Sequence, residues 1–294
     1  MTNRHFTHFA SVLVWFRRDL RWDDHTALHM ALQHGDKVFG CFLFDSDILK
    51  GLPAKDRRVS FIHASISELD QKWRTSAGNP DAGLITRHGH AATEIVQLAK
   101  QLGVQAVFTH HDDEPAALSR DAQVLGELAN AGIAFHTFKD HVVFERSELL
   151  TQSGTAYGVF TPYKNAWLKK ITPADMVERH TRPKPGQLAP VPPALRQPMP
   201  TLPRMGFEAV DLASLHIHPG SDAAQTLVKD FAKRMAHYED TRNFPAVKGP
   251  SYLSVHLRFG TVSVRQLVRL AYPSAMAGDA GAQTWLSELI WRDF

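Results

Sequence analysis

The stretch Val12-Leu13-Val14-Trp15-Phe16 is a short, continuously apolar run that ends abruptly at Arg17 and Arg18. Four similar runs follow it along the chain, at residues 38–44, 84–86, 104–109 and 133–138. Strands that are apolar on both faces are typical of a parallel sheet that is covered by helices on both sides. The first run therefore predicts a buried parallel strand, and the series predicts a sheet of five.

Helical patterns separate these runs. Residues 56–73 repeat apolar side chains at intervals of three and four, and residues 92–102 and 116–128 do the same. Gly103 stands where the second of these helices should end. Strands that alternate with helices predict a doubly wound α/β domain over residues 1–137, whose ligands would bind at the carboxyl edge of the sheet.

The rest of the chain has a different character. Nine of the 17 prolines lie in residues 173–203, a density that is incompatible with helix interiors and sheet ladders. We therefore predict a connector over residues 138–222 that is Pro-rich and extended from residue 173. Residues 223–294 have only helical periodicity, which predicts an all-α region.

Composition excludes several classes of protein. With 44% hydrophobic and 21% charged residues, the chain is neither disordered nor collagen-like. Cys41 is the one cysteine, so it cannot complete an internal disulfide or a zinc site that needs two cysteines. The longest apolar run is too short to cross a bilayer and lacks a cleavage site, so we expect a cytoplasmic protein without membrane contact. Residues 223–294 carry nine basic and six acidic side chains, a net charge of +3 that fits a polyanionic partner.

Motifs of several other enzyme classes are missing from the sequence, including the P-loop, GxGxxG after the first strand, HExxH and the Gly-x-Ser-x-Gly elbow. The cluster His110 to Glu114 contains metal-ligating residue types, but neighbours on an extended segment point in opposite directions, so we expect no metal site there. Asp113 is instead predicted to cap the helix that begins at Pro115. Taken alone, the charged segment 16–24 is predicted to be a solvated loop with local ion pairs.

Candidate ligand-binding side chains lie near the end of the chain. The turn Gly249-Pro250-Ser251-Tyr252-Leu253-Ser254 could offer hydroxyls and backbone N–H groups to a phosphate, or it could merely cap a helix. On the last predicted helix, spacings of three and four place Trp285, Glu288 and Arg292 on one face. These could hold a flat polar ligand, but Glu288 and Arg292 could equally form an ordinary i,i+4 ion pair.

Five motifs in chain order resemble the DNA photolyase/cryptochrome family, most closely the bacterial class I cyclobutane-dimer photolyases. They are Trp15–Arg21, Phe160–Trp167, Arg242–Pro245, Ser251–Ser254 and Trp285–Phe294. The resemblance implies an α/β antenna domain at the N-terminus, followed by the start of an all-α FAD-binding domain in residues 223–294.

The same resemblance implies roles for individual residues. The catalytic residues would be Glu288, which hydrogen-bonds the flipped dimer, and Trp291, which stacks against it. The FAD contacts would be Tyr238, Pro250, Ser251, Tyr252, Leu253, Ser254, Trp285 and Arg292, although relatives commonly have threonine in place of Pro250. The DNA contacts would be Arg242, Glu288, Trp291 and Arg292.

The activity implied is light-driven repair of cyclobutane pyrimidine dimers by electron transfer from excited, reduced FAD to a flipped-out dimer. The expected partner is damaged DNA, and we expect a monomer. A second, antenna chromophore fits the family. Folate-using relatives carry an Asn-Glu pair where this chain has Ala116 and Ala117, and alanine side chains cannot make those hydrogen bonds, which argues against folate.

Relatives continue well beyond Phe294, so the resemblance implies a fragment or truncated form that is too short to repair DNA alone. Two alternatives stay open. One is a cryptochrome-like flavin photosensor without repair activity, and the other is a stand-alone nucleotide-binding module with a vestigial helical tail. Glu288 and Trp291 together favour repair over the photosensor.

Overall fold

A single parallel sheet organises the first half of the structure, a computed structural model that describes residues 7–294. Its strands are β1 Phe9–Phe16, β2 Gly35–Asp45, β3 Ile85–Gly89, β4 Ala106–His110 and β5 Ala134–Phe138. They pair in parallel in the order β3-β2-β1-β4-β5, so the strand order reverses between β1 and β4. Residues 12–16 of the central strand are buried because helices cover both faces. This confirms the predicted doubly wound α/β fold.

The helices of this unit are α1 Thr26–His34, α2 Ser46–Leu49, α3 Arg57–Ala77, α4 Ala91–Leu102 and α5 Pro115–Asn130. α4 ends at Gly103, whose φ of 62° lies in the left-handed region, as predicted. The prediction that Asp113 caps α5 is wrong, because Glu114 occupies the N-cap position. Asp113 instead accepts a hydrogen bond from Arg146 at 2.8 Å, while Pro115 does open the helix.

The second half of the chain is helical. Its helices are α6 Phe160–Lys170, α7 Pro173–Met176, α8 Ser221–Ala232, α9 Tyr238–Thr241, α10 Ser254–Phe259, α11 Val264–Met276 and α12 Ala280–Trp291. Their apolar faces enclose a core of their own around Trp167, Phe231 and Trp285, each at most 3% exposed. Between residues 139 and 294 the structure contains helices and turns but no strand of the sheet, which agrees with the predicted all-α region.

The proline-rich stretch runs along the sheet edge. Its helical elements are short turns that begin at or next to a proline, where the missing N–H costs nothing. Leu188 forms a parallel bridge to Val38, with Val38 N donating to Gln187 O at 2.8 Å and Ala189 N donating to Val38 O at 3.0 Å. At this point the stretch is fixed to β2 by backbone hydrogen bonds.

The sheet and the helical unit are joined by buried charges. Arg21, in the β1–α1 loop, pairs with Asp140 at 2.6 Å, and Arg265 of α11 reaches both Asp140 and Asp24 at 3.0 Å. Burial alone would raise the pKa of Asp140, but the nearby cations hold that pKa well below its usual range. The prediction of a solvated loop with local ion pairs at residues 16–24 is therefore wrong, because its charges are mostly buried and bind partners far away in sequence.

Within residues 7–294, no helix combines the length and the apolar character needed to cross a membrane.

Candidate functional site

A cavity of about 630 Å³ opens at the carboxyl edge of the sheet. Its apolar wall comes from strand ends and from α3 and includes Trp15, Phe42, Phe44 and Ile62, while Phe259 of α10 closes it from the helical unit. Parallel sheets bind ligands at this edge because the loops that follow the strands converge there. An apolar slot of this size suits a flat aromatic ligand.

Charged side chains surround the mouth of this cavity. Arg18 Nη1 lies 2.8 Å from Glu114 Oε1 and 3.2 Å from Asp112 Oδ1, and Arg258 Nη1 of α10 contacts the same Glu114 oxygen at 2.9 Å. Burial raises the pKa of Asp45, which also lines the cavity. Because the mouth carries both signs of charge, it can bind the polar substituents of an aromatic ligand.

The walls of the cavity also contain Ala116 and Ala117, the two alanines on which the expectation against folate rests. Ala117 is buried and lies in the first turn of α5. Neither methyl side chain can donate or accept a hydrogen bond. The cavity therefore presents apolar surface at these two positions.

Asp19, His25 and His110 meet in a fully buried cluster behind the cavity. The backbone N–H of Ala27 donates to His110 Nε2 at 2.8 Å, and that of Leu28 donates to His25 Nδ1 at 3.0 Å. These donors assign the ring protons to the nitrogens that face Asp19, at 2.5 Å for His110 and 3.2 Å for His25. The two backbone N–H groups thus occupy one nitrogen of each ring, whereas His25 Nε2 lies 3.2 Å from Asp19 without a hydrogen bond.

Buried aromatic rings form the centre of the predicted flavin region. Tyr238 and Trp285 both pack on Phe231, with ring centroids 5.6 Å and 4.5 Å away. Burial raises the pKa of the Tyr238 hydroxyl. The fold thus brings together two of the predicted FAD contacts, which lie on α9 and α12, around a residue of α8.

The predicted phosphate segment forms a tight turn before α10. Tyr252 has a φ of 59°, in the left-handed region, and is 49% exposed, whereas Leu253 is buried. Ser251 Oγ accepts the Leu253 N–H at 3.4 Å. Within residues 7–294, the backbone N–H groups of Ser251, Tyr252 and Ser254 donate no hydrogen bond, so they are available to an anionic ligand.

Glu288 and Arg242 bind each other. Arg242 Nη1 donates to Glu288 Oε1 at 2.6 Å, which raises the pKa of Arg242, and its guanidinium lies 5.3 Å from the centre of the Tyr238 ring. Side-chain exposure is 31% for Arg242 and 36% for Glu288, so both remain accessible from solvent. The alternative prediction of a Glu288–Arg292 ion pair is wrong, because Glu288 pairs across to the segment that follows α9.

Trp291 contacts a different neighbour. Its ring stacks on Phe160 of α6 with centroids 3.7 Å apart and planes at 9°, and Phe294 meets it edge-on at 5.5 Å. The indole is nevertheless 49% exposed. Phe160 therefore covers one ring face and Phe294 also contacts the ring, while about half of the residue's surface is exposed.

The end of α12 is held by backbone contacts. Arg292 donates to His141 O at 2.8 Å and to Leu257 O at 3.0 Å. Asp293 accepts hydrogen bonds from the N–H groups of Val143 and Phe144 and from the indole of Trp167, the last at 2.7 Å. Burial raises the pKa of Asp293 to about 6.

The contacts of several of these residues were not predicted from the sequence. Phe160 lies in a recognised motif, but only the fold reveals that it stacks on Trp291. Arg258 carries no sequence signal, because nothing in α10 indicates that it contacts Glu114, 144 residues earlier in the chain. Asp293 follows Trp291 and Arg292 in sequence, and only the fold reveals its burial beside Trp167.

Comparison with known proteins covers almost the whole chain. The DNA photolyase family model matches residues 12–186. The deoxyribodipyrimidine photo-lyase of Synechococcus sp. (strain ATCC 27144 / PCC 6301 / SAUG 1402/1) is 32% identical over 297 residues, 97% of this chain and 59% of that protein. The chain thus spans about three-fifths of the length of this curated relative.

Two solved structures have the same fold. A bacterial class III photolyase from Agrobacterium tumefaciens matches with a TM-score of 0.80 and 24% identity, over 100% of this chain and 60% of that one. An archaeal photolyase from Sulfolobus tokodaii, solved with two FAD molecules, matches with a TM-score of 0.72 and 26% identity, over 97% and 58% of the chains.

Proposed function

Because the chain belongs to the DNA photolyase family, we propose that it serves the light-driven repair of cyclobutane pyrimidine dimers in DNA, as part of a deoxyribodipyrimidine photolyase. The observation that carries this proposal is the contact between Arg242 and Glu288, 46 residues apart, next to the buried ring of Tyr238. A carboxylate and a guanidinium from two separate motifs share one surface with the Tyr238 ring, as a site for a flipped pyrimidine dimer and a flavin requires.

FAD is the cofactor that we propose for the helical unit, and the residues present fit it. Tyr238 and Trp285 offer buried aromatic surface for its ring systems, and the free N–H groups of Ser251, Tyr252 and Ser254 suit its phosphates. When bound in its reduced state and excited, FAD supplies the electron that opens the cyclobutane ring. The protein residues bind and orient the cofactor and keep water away from it.

Recognition of damage is the role that we propose for the end of α12. A dimer within a duplex cannot reach a buried flavin, so it has to flip out, at a cost of a few kcal/mol that is smallest for damaged bases. Trp291 is 49% exposed, and its aromatic ring can stack with a base. Glu288 can hydrogen-bond the dimer while Arg242 turns to a DNA phosphate. These two contacts replace the ion pair between Glu288 and Arg242.

We propose that the cavity at the sheet edge holds an antenna chromophore other than folate. Its volume, its aromatic wall and its charged mouth support a flat ligand with polar substituents. Ala116 and Ala117 in the wall argue against the hydrogen bonds that folate-using relatives make.

A repair assay tests the proposal. The protein from its full reading frame is loaded with FAD, reduced, mixed with an oligonucleotide that contains one dimer, and exposed to blue light. We expect repair, and we expect Glu288→Ala to lower the repair yield more than it lowers DNA affinity. Glu239→Ala removes an exposed carboxylate of α9 and serves as the control.

Other outcomes identify the alternatives. A flavin-loaded protein that leaves dimers intact would be a photosensor, and one that takes up no flavin would be a nucleotide-binding module. Either result contradicts the proposal. Light scattering tests the accompanying expectation of a monomer.

A further inference from the structure

Arg234, which follows α8, binds three consecutive backbone carbonyls. Nη1 donates to Lys248 O at 2.7 Å and to Gly249 O at 2.6 Å, and Nη2 donates to Pro250 O at 2.8 Å. Both Nε and Nη2 also bind Asp230, at 3.3 Å and 3.2 Å. A single side chain therefore fixes the backbone that leads into the segment 250–254.

These contacts use every donor of the side chain. A guanidinium has five N–H groups in a rigid planar fork. Three of them bind carbonyls and two bind Asp230, so none is left for a ligand. Arg234 can therefore act on a bound molecule only through the backbone that it holds.

Arg234 also contacts the buried aromatic cluster. Its guanidinium lies 5.0 Å from the centre of the Phe231 ring, the residue on which Tyr238 and Trp285 pack. A cation over a ring face at this distance is attracted to it. One arginine thus joins the aromatic part of the predicted flavin site to the turn at residues 248–254.

We propose that Arg234 is a positioning residue for the phosphates of the flavin, an inference that rests on the function proposed above. The Pro250 carbonyl and the Ser251 N–H belong to one planar peptide group and point in opposite directions. Since the carbonyl is bound to Arg234, the Ser251 N–H is turned away from the arginine and stays free for an anion. Pro250 has no N–H of its own, so this orientation of the next peptide matters more in this chain.

The experiment compares Arg234→Lys with a matched control, Arg196→Lys. Arg196 also binds a carbonyl and a carboxylate, Val191 O at 2.7 Å and Asp81 at 2.8 Å, but it lies on the proline-rich stretch. Lysine keeps the charge and loses the fork. Circular dichroism tests whether each variant is folded. Arg234→Gln provides a second variant in case the introduced lysine binds only Asp230.

Hydrogen exchange of the protein without flavin provides the first readout. We expect the hydrogen-bonded amides of Gly249 and Leu253 to exchange about tenfold faster in Arg234→Lys than in the wild type, and to be unchanged in Arg196→Lys. Equal exchange in the two lysine variants would overturn the positioning role, whatever the protein binds.

Flavin affinity provides the second readout, with FAD and the phosphate-free riboflavin as probes. We expect Arg234→Lys to weaken FAD binding about tenfold and to leave riboflavin binding within about threefold. An equal loss of affinity for FAD and riboflavin, or no loss for FAD, would overturn the proposal that Arg234 positions the flavin phosphates. A wild-type protein that binds no FAD would instead refute the proposed function, while the exchange result would still decide how the turn is held.

Discussion

Arg242 and Glu288, both predicted to contact damaged DNA, form an ion pair with each other. Arg242 Nη1 donates a hydrogen bond to Glu288 Oε1 at 2.6 Å. An ion pair about one-third exposed contributes little to folding because water and salt screen it. The pair therefore keeps two charges in place at low cost until a ligand separates them.

We expect Arg242→Gln and Glu288→Gln each to change the free energy of unfolding by less than about 1 kcal/mol. The double variant should be close to the sum of the two, because the coupling of an exposed pair is small. Chemical denaturation of the four proteins measures this coupling. A coupling energy of several kcal/mol would contradict the idea that the pair is easily opened.

Phe160→Ala should release Trp291. Loss of the stacked ring should cost about 1 kcal/mol beyond the loss of buried area, and should red-shift the fluorescence of Trp291 as water reaches its second face. The difference spectrum against Trp291→Phe isolates that signal. Phe244→Ala, at a ring 60% exposed, serves as the control. An unchanged Trp291 signal would exclude the stack in solution.

Asp293 should make stability fall as pH rises. Its folded-state pKa of about 6 exceeds its usual value of 3.8 because of burial, so its contribution is complete below about pH 4 and is lost as pH rises through 6. Relative to Asp293→Asn, the wild type should lose roughly 3 kcal/mol between pH 4 and pH 7. Melting curves at each pH measure this difference, with Glu127→Gln on the exposed face of α5 as the control. Parallel curves for wild type and Asp293→Asn would contradict it.

Arg265→Met should destabilise the protein strongly. It leaves the buried carboxylates of Asp24 and Asp140 short of a partner, which typically costs about 3–5 kcal/mol. Urea denaturation measures the loss, and Arg196→Met on the surface should change stability by less than about 1 kcal/mol. Because the pKa of Asp140 is depressed, the stabilisation should be present above about pH 4 and disappear as the pH falls below it. Loss of less than 1 kcal/mol in Arg265→Met would refute this account of the interface.

The double variant Ala116→Asn/Ala117→Glu should gain affinity for a reduced folate. The substitutions introduce an amide and a carboxylate into the wall of the cavity. Fluorescence titration with methenyltetrahydrofolate should give a binding constant for the variant at least about tenfold tighter than for the wild type. Ala122→Asn, on the exposed side of α5, is the control. Tight folate binding by the wild type would contradict the argument from the two alanines.

Local patterns predicted the sheet well. Continuous apolar runs such as residues 12–16 encode burial on both faces, and Gly103 encodes a helix end, so neither depends on distant residues. The prediction of a solvated β1–α1 loop was wrong because the burial of this loop depends on residues far away in sequence. Asp24 resembles a surface charge in sequence, and the approach of Arg265 and Arg269 from α11 makes its burial tolerable.

The candidate site was predictable only in part. Family motifs pointed to Glu288 and Arg242, which the fold does bring together. No sequence motif pointed to Arg234. Its partners are backbone carbonyls, and because every residue has one, the sequence does not mark them. Roles of that kind depend on a turn geometry that propensities do not encode.

The bridge between Leu188 and Val38 covers part of a strand edge. β3 pairs only with residues 41–45 of β2, so residues 35–40 would otherwise present an open strand edge. The proline-rich stretch pairs with Val38 at that edge. Pro190, next to the bridge, has no N–H that could donate to another strand. The same prolines that prevent a regular strand thus also disfavour the pairing of a further strand at this edge.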